Sequence, residues 1–162
     1  MQLYPWVVFV HVLAAFLFIL AHGASAFVSY RLRAERDPAR IAALLDLSSS
    51  TIGVMYGALG LLLLAGIAAG IMGDWFSKGW IWLAIGVLFG VTVLMYVVAT
   101  RYYVTVRRAL GQQRPGSSGP APEPFPTEQL LALLDTRRPD TIAAIGAIGL
   151  ILIVWLMVVK PL

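Results

Sequence analysis

The chain of 162 residues is 60% hydrophobic and only 12% charged, with a mean hydropathy of +0.85, whereas soluble domains carry about 25% charged residues. This composition excludes an ordinary soluble domain and indicates an integral membrane protein. The net charge of +4 comes without any basic patch interleaved with aromatics, so no nucleic-acid partner is expected, and the absence of cysteine excludes disulfides, thiolate metal sites and thioether-linked haem.

Four apolar runs are long enough to cross a bilayer, at roughly 5–30, 51–73, 79–103 and 140–159. The expected fold is all-α: an antiparallel four-helix transmembrane bundle with short cytoplasmic interfacial helices, forming a single membrane domain over residues 1–162. The first span has no basic residue before it and ends in Arg31, Arg33, Arg36 and Arg40, so it reads as a retained helix and not as a cleaved signal.

That span contains HVLAAFLFILAH, which holds both histidines of the chain, His11 and His22. Eleven residues at about 100° each bring the two imidazoles to within roughly 20° of one face, about 16 Å apart along the axis. Polar groups at membrane depth are costly and face a bundle interior or a cavity. Three roles are open to them: hydrogen bonding to neighbouring helices, ligation of haem or another metal, and proton handling. Two imidazoles cannot supply the four axial ligands of two bis-histidine haems, which leaves one histidine per haem b with an open, methionine or aromatic sixth side. By depth, His22 lies near Met55, Tyr56, Tyr96 and Gly146, and His11 lies near Gly66, Gly86 and Trp155. His11, His22, Met55 and Tyr56 are therefore the candidate cofactor-binding residues, with the two histidines as the metal ligands.

After the first span, Asp37-Pro38 reads as an N-cap followed by proline in the first helical turn, and Ile41, Leu44, Leu45 and Leu47 share a face. A short interfacial helix running into span two is expected there. Spans two and three carry Gly53-x-x-x-Gly57, Gly66-x-x-x-Gly70 and Gly86-x-x-x-Gly90, and span four carries Gly146 and Gly149. Such faces let helices approach closely, and tight packing within the bundle is the expectation, with a homodimer face or room for a flat ligand as the alternatives. Asp74 with Gly73 marks an exposed turn.

The stretch GQQRPGSSGPAPEPFP predicts a flexible cytoplasmic loop over 112–126. TEQLLALLDTRRPD then predicts an amphipathic helix capped by Thr127, with Leu130, Leu131, Leu133 and Leu134 against the membrane and Asp140 capping span four. Arginines concentrate in loops 31–50 and 104–139, against Lys78 and Lys160 on the other side, which puts both termini outside and those loops in the cytoplasm. No nucleophile triad, phosphate loop or span-buried carboxylate is present, so no enzyme class is indicated and ion-coupled transport is disfavoured.

The segments YPWVVFVHVLAAFLFILAHGASAFVSYRLRAERDPARIAALLDLS and GVMYGALGLLLLAGIAAG resemble the small bacterial four-helix membrane proteins of the CopD-like and HemJ-like families. The resemblance rests on His11, the glycine-rich second span and the arginine-rich first loop. It implies a multi-pass protein of a bacterial plasma membrane, with haem bound through His11 on the HemJ-like side or copper handling on the CopD-like side. The chain lacks the buried lysine of the HemJ-like pattern. Two functional classes follow: a haem b protein with a redox or haem-handling role, or a non-catalytic subunit, as a homodimer or beside a larger membrane complex.

Overall fold

A computed structural model describes residues 3–113 and 119–161. The chain forms α1 (Tyr4–Ala34), α2 (Pro38–Met72), a 3₁₀ turn (Trp75–Ser77), α3 (Gly79–Ala109), α4 (Thr127–Leu134) and α5 (Arg138–Val159), with no strand among the described residues. Four stretches are long and apolar enough to span a membrane: α1, α2, α3 and the segment from α4 through α5. The expected all-α transmembrane bundle is thus the observed architecture.

The first interfacial helix is not a separate element. The chain turns at Glu35–Asp37, where the Asp37 carboxylate accepts from the Ala39 amide and Pro38 opens the helix. Nothing then breaks α2 for 35 residues. The serines and threonine at its midpoint bond backward, Ser50 Oγ to the Leu47 carbonyl at 2.7 Å and Thr51 Oγ1 to that of Ser48 at 2.8 Å. Their hydroxyls therefore sustain the helix where they would otherwise cap a new one. At 1.5 Å per residue α2 measures roughly 52 Å, some 20 Å more than a hydrocarbon core of about 30 Å.

The excess length projects at the arginine-rich end and carries the best-buried core of the molecule. Val28 and Leu32 of α1, Ile41 and Leu45 of α2, and Tyr102, Val106 and Ala109 of α3 pack there with Leu130 and Leu134 of α4. The leucines of α4 thus bury against protein, which corrects the expectation of a helix lying on lipid. An amphipathic stripe is satisfied by either apolar surface, and here the projecting helix ends supply one. Pro126 occupies the α4 N-cap position and Thr127 is its first helical residue, so the expected Thr127 cap is not formed.

Span four also begins differently from expectation. Arg137 occupies the N-cap position of α5, and Asp140 sits in the first helical turn. Its carboxylate reaches across to Arg33 of α1 at 3.1 Å, and its place in the first turn also suits the helix dipole. At the opposite end, Gly73 leaves the space that the Trp75 indole fills, and Trp75 Nε1 donates to the Tyr4 hydroxyl at 3.0 Å. Lys160 lies 4.1 Å above the Trp75 ring and closes that end of the molecule.

Packing between spans is uneven. Helix α1 runs against α2 along its length, and α3 against α5, whereas α2 and α3 scarcely touch. The glycine faces follow this division. Gly66 and Gly70 on α2 and Gly146 and Gly149 on α5 lie against side chains, whereas a Cβ at Gly53, Gly57, Gly86 or Gly90 would meet nothing within 4 Å. The expectation of close packing thus holds for the first group and fails for the second, because α2 and α3 present those glycines where no helix of this chain lies. The 112–126 stretch is described except for 114–118. Gly111 turns the chain at a φ of 73°, and the Phe125 amide returns to the Ala109 carbonyl at 2.8 Å.

Candidate functional site: an intramembrane cavity beside His22

Because the α1–α2 and α3–α5 pairs meet along only part of their length, a cavity of about 710 Å³ lies between them, within the range of small-molecule sites. Phe18, His22, Met55, Leu59, Leu88 and Leu150 contribute to its wall. Tyr56 of α2 and Tyr96 of α3 also line it while remaining 50% and 57% exposed, which puts them at its lateral mouth toward lipid. Polar groups gather at the arginine-rich end: Ser48, Ser49, Arg107, Arg108, Gln112 and Gln113.

The two histidines serve different neighbours. His11 Nδ1 donates to the Leu62 carbonyl of α2 at 2.9 Å, and its ring fills the space above Gly66, where a Cβ would stand 2.9 Å from Cε1. This imidazole is wedged between two helices, away from the cavity. His22 lies on the cavity wall, its ring parallel to that of Phe18 at 6.1 Å between centroids. Its Nε2 faces Gly146 of α5, where a Cβ would come within 2.7 Å. Met55 and Tyr56 line the same cavity as His22, so three of the four candidate residues share one space and His11 stands apart.

Sequence reasoning missed the arginine pair at the end of α3. Arg107 donates to four acceptors: the Leu45 carbonyl at 2.7 Å, Ser49 Oγ at 2.6 Å, Gln112 Oε1 at 2.8 Å and Asp46 Oδ1 at 3.0 Å. It ties α2 to α3 at the end where Leu45 and Val106 share one core, and its side chain is only 12% exposed. Arg108 lines the cavity mouth. In the sequence both residues register only as part of the basic bias of one side. No group of three His, Cys, Asp or Glu side chains converges among the described residues.

A family model described as a predicted integral membrane protein (DUF2269) matches residues 5–161, and the chain belongs to that family. The match supports a small integral membrane protein and lends nothing to a CopD-like or HemJ-like assignment. No curated protein and no solved structure matches the chain.

Proposed function

We propose that this member of the DUF2269 family is a binding protein of a bacterial plasma membrane that holds haem b in the cavity, with His22 as the protein ligand and a redox or haem-handling role. The observation that carries this reading is the lone imidazole on the wall of a cofactor-sized apolar cavity. Methionine and tyrosine side chains, Met55, Tyr56, Met95 and Tyr96, line the same space and offer a sixth side. Ligation through Nε2 requires the ring to swing off Gly146 into the cavity. His11 is assigned a structural role in this reading, because its Nδ1 proton is committed to Leu62 and it does not line that cavity. The test is an optical spectrum of the purified protein after haem addition, with His22→Ala and His11→Ala beside it. A Soret band lost in the first variant and kept in the second is expected. No Soret band, or one unchanged by His22→Ala, refutes the assignment.

Orientation belongs to the same proposal. Arg31, Arg33, Arg36, Arg40, Arg101, Arg107, Arg108, Arg137 and Arg138 lie in or beside the loops joining α1 to α2 and α3 to α5, so both termini face outward and the arginine-rich end faces the cytoplasm. A cysteine at Ala121 should resist labelling by an impermeant maleimide in intact cells, and prompt labelling refutes this topology.

A second reading, a scaffold subunit, is favoured by the open glycines. Gly53 and Gly57 of α2 and Gly86 and Gly90 of α3 present lipid-facing backbone to which another helix could pack closely. Replacement of Gly57 by Ile should then abolish co-purification of a partner or a second copy; an unchanged assembly state removes this alternative.

A further inference from the structure

The cavity has one chemical end. Its walls along the spans are apolar, its cationic side chains, Arg107 and Arg108, sit together at one mouth, and no Asp or Glu lines it among the described residues. A ligand carrying positive charge would meet two guanidiniums, and a wholly apolar one would leave that mouth unmatched.

The two arginines are not equivalent. Arg107 already donates to four protein acceptors, and its charge is offset by Asp46 at 3.0 Å. Arg108 follows one residue later, about 100° around the helix, and makes no ion pair and no side-chain hydrogen bond among the described residues. It is exposed at the rim. Its planar fork is suited to two parallel hydrogen bonds from a carboxylate.

We propose that the cavity takes an amphipathic carboxylate, its apolar body between α2 and α3 and its carboxylate on Arg108. This deepens the binding reading above and rests on the cavity having an occupant, but not on that occupant being haem. Two sources share the chemistry: the propionates of haem b and the head group of a fatty acid. Tyr56 and Tyr96 leave the cavity open toward lipid between the same two helices, so either source reaches it from the bilayer.

The experiment uses the full chain in nanodiscs of zwitterionic lipid with two matched probe pairs: haem b and its dimethyl ester, and a fluorescent polyene fatty acid and its methyl ester. Esterification removes the anion and leaves the apolar body. The acid of at least one pair should bind about tenfold more tightly than its ester, the size of one charge-assisted hydrogen bond at a partly solvated site. Arg108→Gln should reduce that preference to less than about threefold, and Arg108→Lys, which keeps the charge but not the fork, should retain only part of it. An unchanged melting temperature in Arg108→Gln separates lost recognition from lost folding, and a preference in the parent protein that falls with added salt reports the same contact without any variant. Equal binding of acid and ester in the parent protein overturns the proposal, as does a preference that survives Arg108→Gln, or no binding of any of the four probes. If the fatty acid pair shows the preference and haem does not bind, the carboxylate site stands and the haem reading falls. If haem and its diester bind equally and the fatty acid pair shows no preference, haem stands and the Arg108 site falls.

Discussion

Replacing Arg107 by alanine is the sharpest test of how this bundle is held together. The side chain makes hydrogen bonds from α3 to α2 at Leu45, Asp46 and Ser49, and also anchors Gln112. The Asp46 carboxylate is 68% exposed, so its ion pair contributes less than about 1 kcal/mol. The bonds to the Leu45 carbonyl and Gln112 Oε1 are part-buried and contribute about 1 kcal/mol each, and the exposed bond to Ser49 Oγ contributes less. Arg107→Ala should therefore destabilise the protein by about 3 kcal/mol, Arg107→Lys by less, and Asp46→Asn by under about 1 kcal/mol. Equilibrium unfolding in mixed detergent micelles measures the order, and spin labels at Val54 and Val93 measure whether α2 and α3 separate. If Asp46→Asn costs as much as Arg107→Ala, the ion pair dominates and the reasoning is wrong. If Arg107→Ala costs less than 1 kcal/mol and leaves the label distance unchanged, the bridge is incidental.

The glycines divide into two classes that a single pair of variants distinguishes. Gly66→Ala puts a methyl group 2.9 Å from His11 Cε1 and should destabilise by about 1–3 kcal/mol through overpacking and loss of the Leu62 bond. Gly57→Ala meets open space and should be neutral or slightly stabilising in thermal unfolding, so equal effects would refute the division. At the α1–α2 turn, the Glu35 carboxylate accepts the amide of Arg36 at 2.9 Å and that of Asp37 at 3.1 Å, bonds that hold its pKa below the ordinary 4.5. With the folded value depressed, its contribution to the turn is complete above the unfolded value and is lost as pH falls through the folded one. The Arg36 amide resonance should titrate with a midpoint below 4.5 and stop titrating in Glu35→Gln; a midpoint at or above that value refutes the assignment.

What the sequence revealed, and what it concealed, follows from whether one helix or two decide the outcome. The spans were legible because a bilayer demands about 20 apolar residues per span, and α1, α2, α3 and the segment from α4 through α5 each meet that demand. Depth along a helix is equally a one-helix property, and counting it placed His11 beside Gly66 and His22 beside Gly146, the two glycines whose missing Cβ atoms admit those rings. Which helices pair is not such a property. Gly53 and Gly57 share their spacing with Gly66 and Gly70, yet only the second pair meets a side chain. Leu130 and Leu134 carry a stripe that suits lipid and protein alike, and only the length by which α1, α2 and α3 outrun the membrane decides for protein. The arginine pair is the extreme case. One step of about 100° separates a residue whose donors are spent on fastening α2 to α3 from one that makes no side-chain bond among the described residues, though both line the cavity. The apolar walls of these two helices part along the cavity and come together only at the arginine-rich end, where Leu45 and Val106 share one core and Arg107 adds its polar bonds, so one gap in packing accounts for both the sparse seam between α2 and α3 and the candidate binding site.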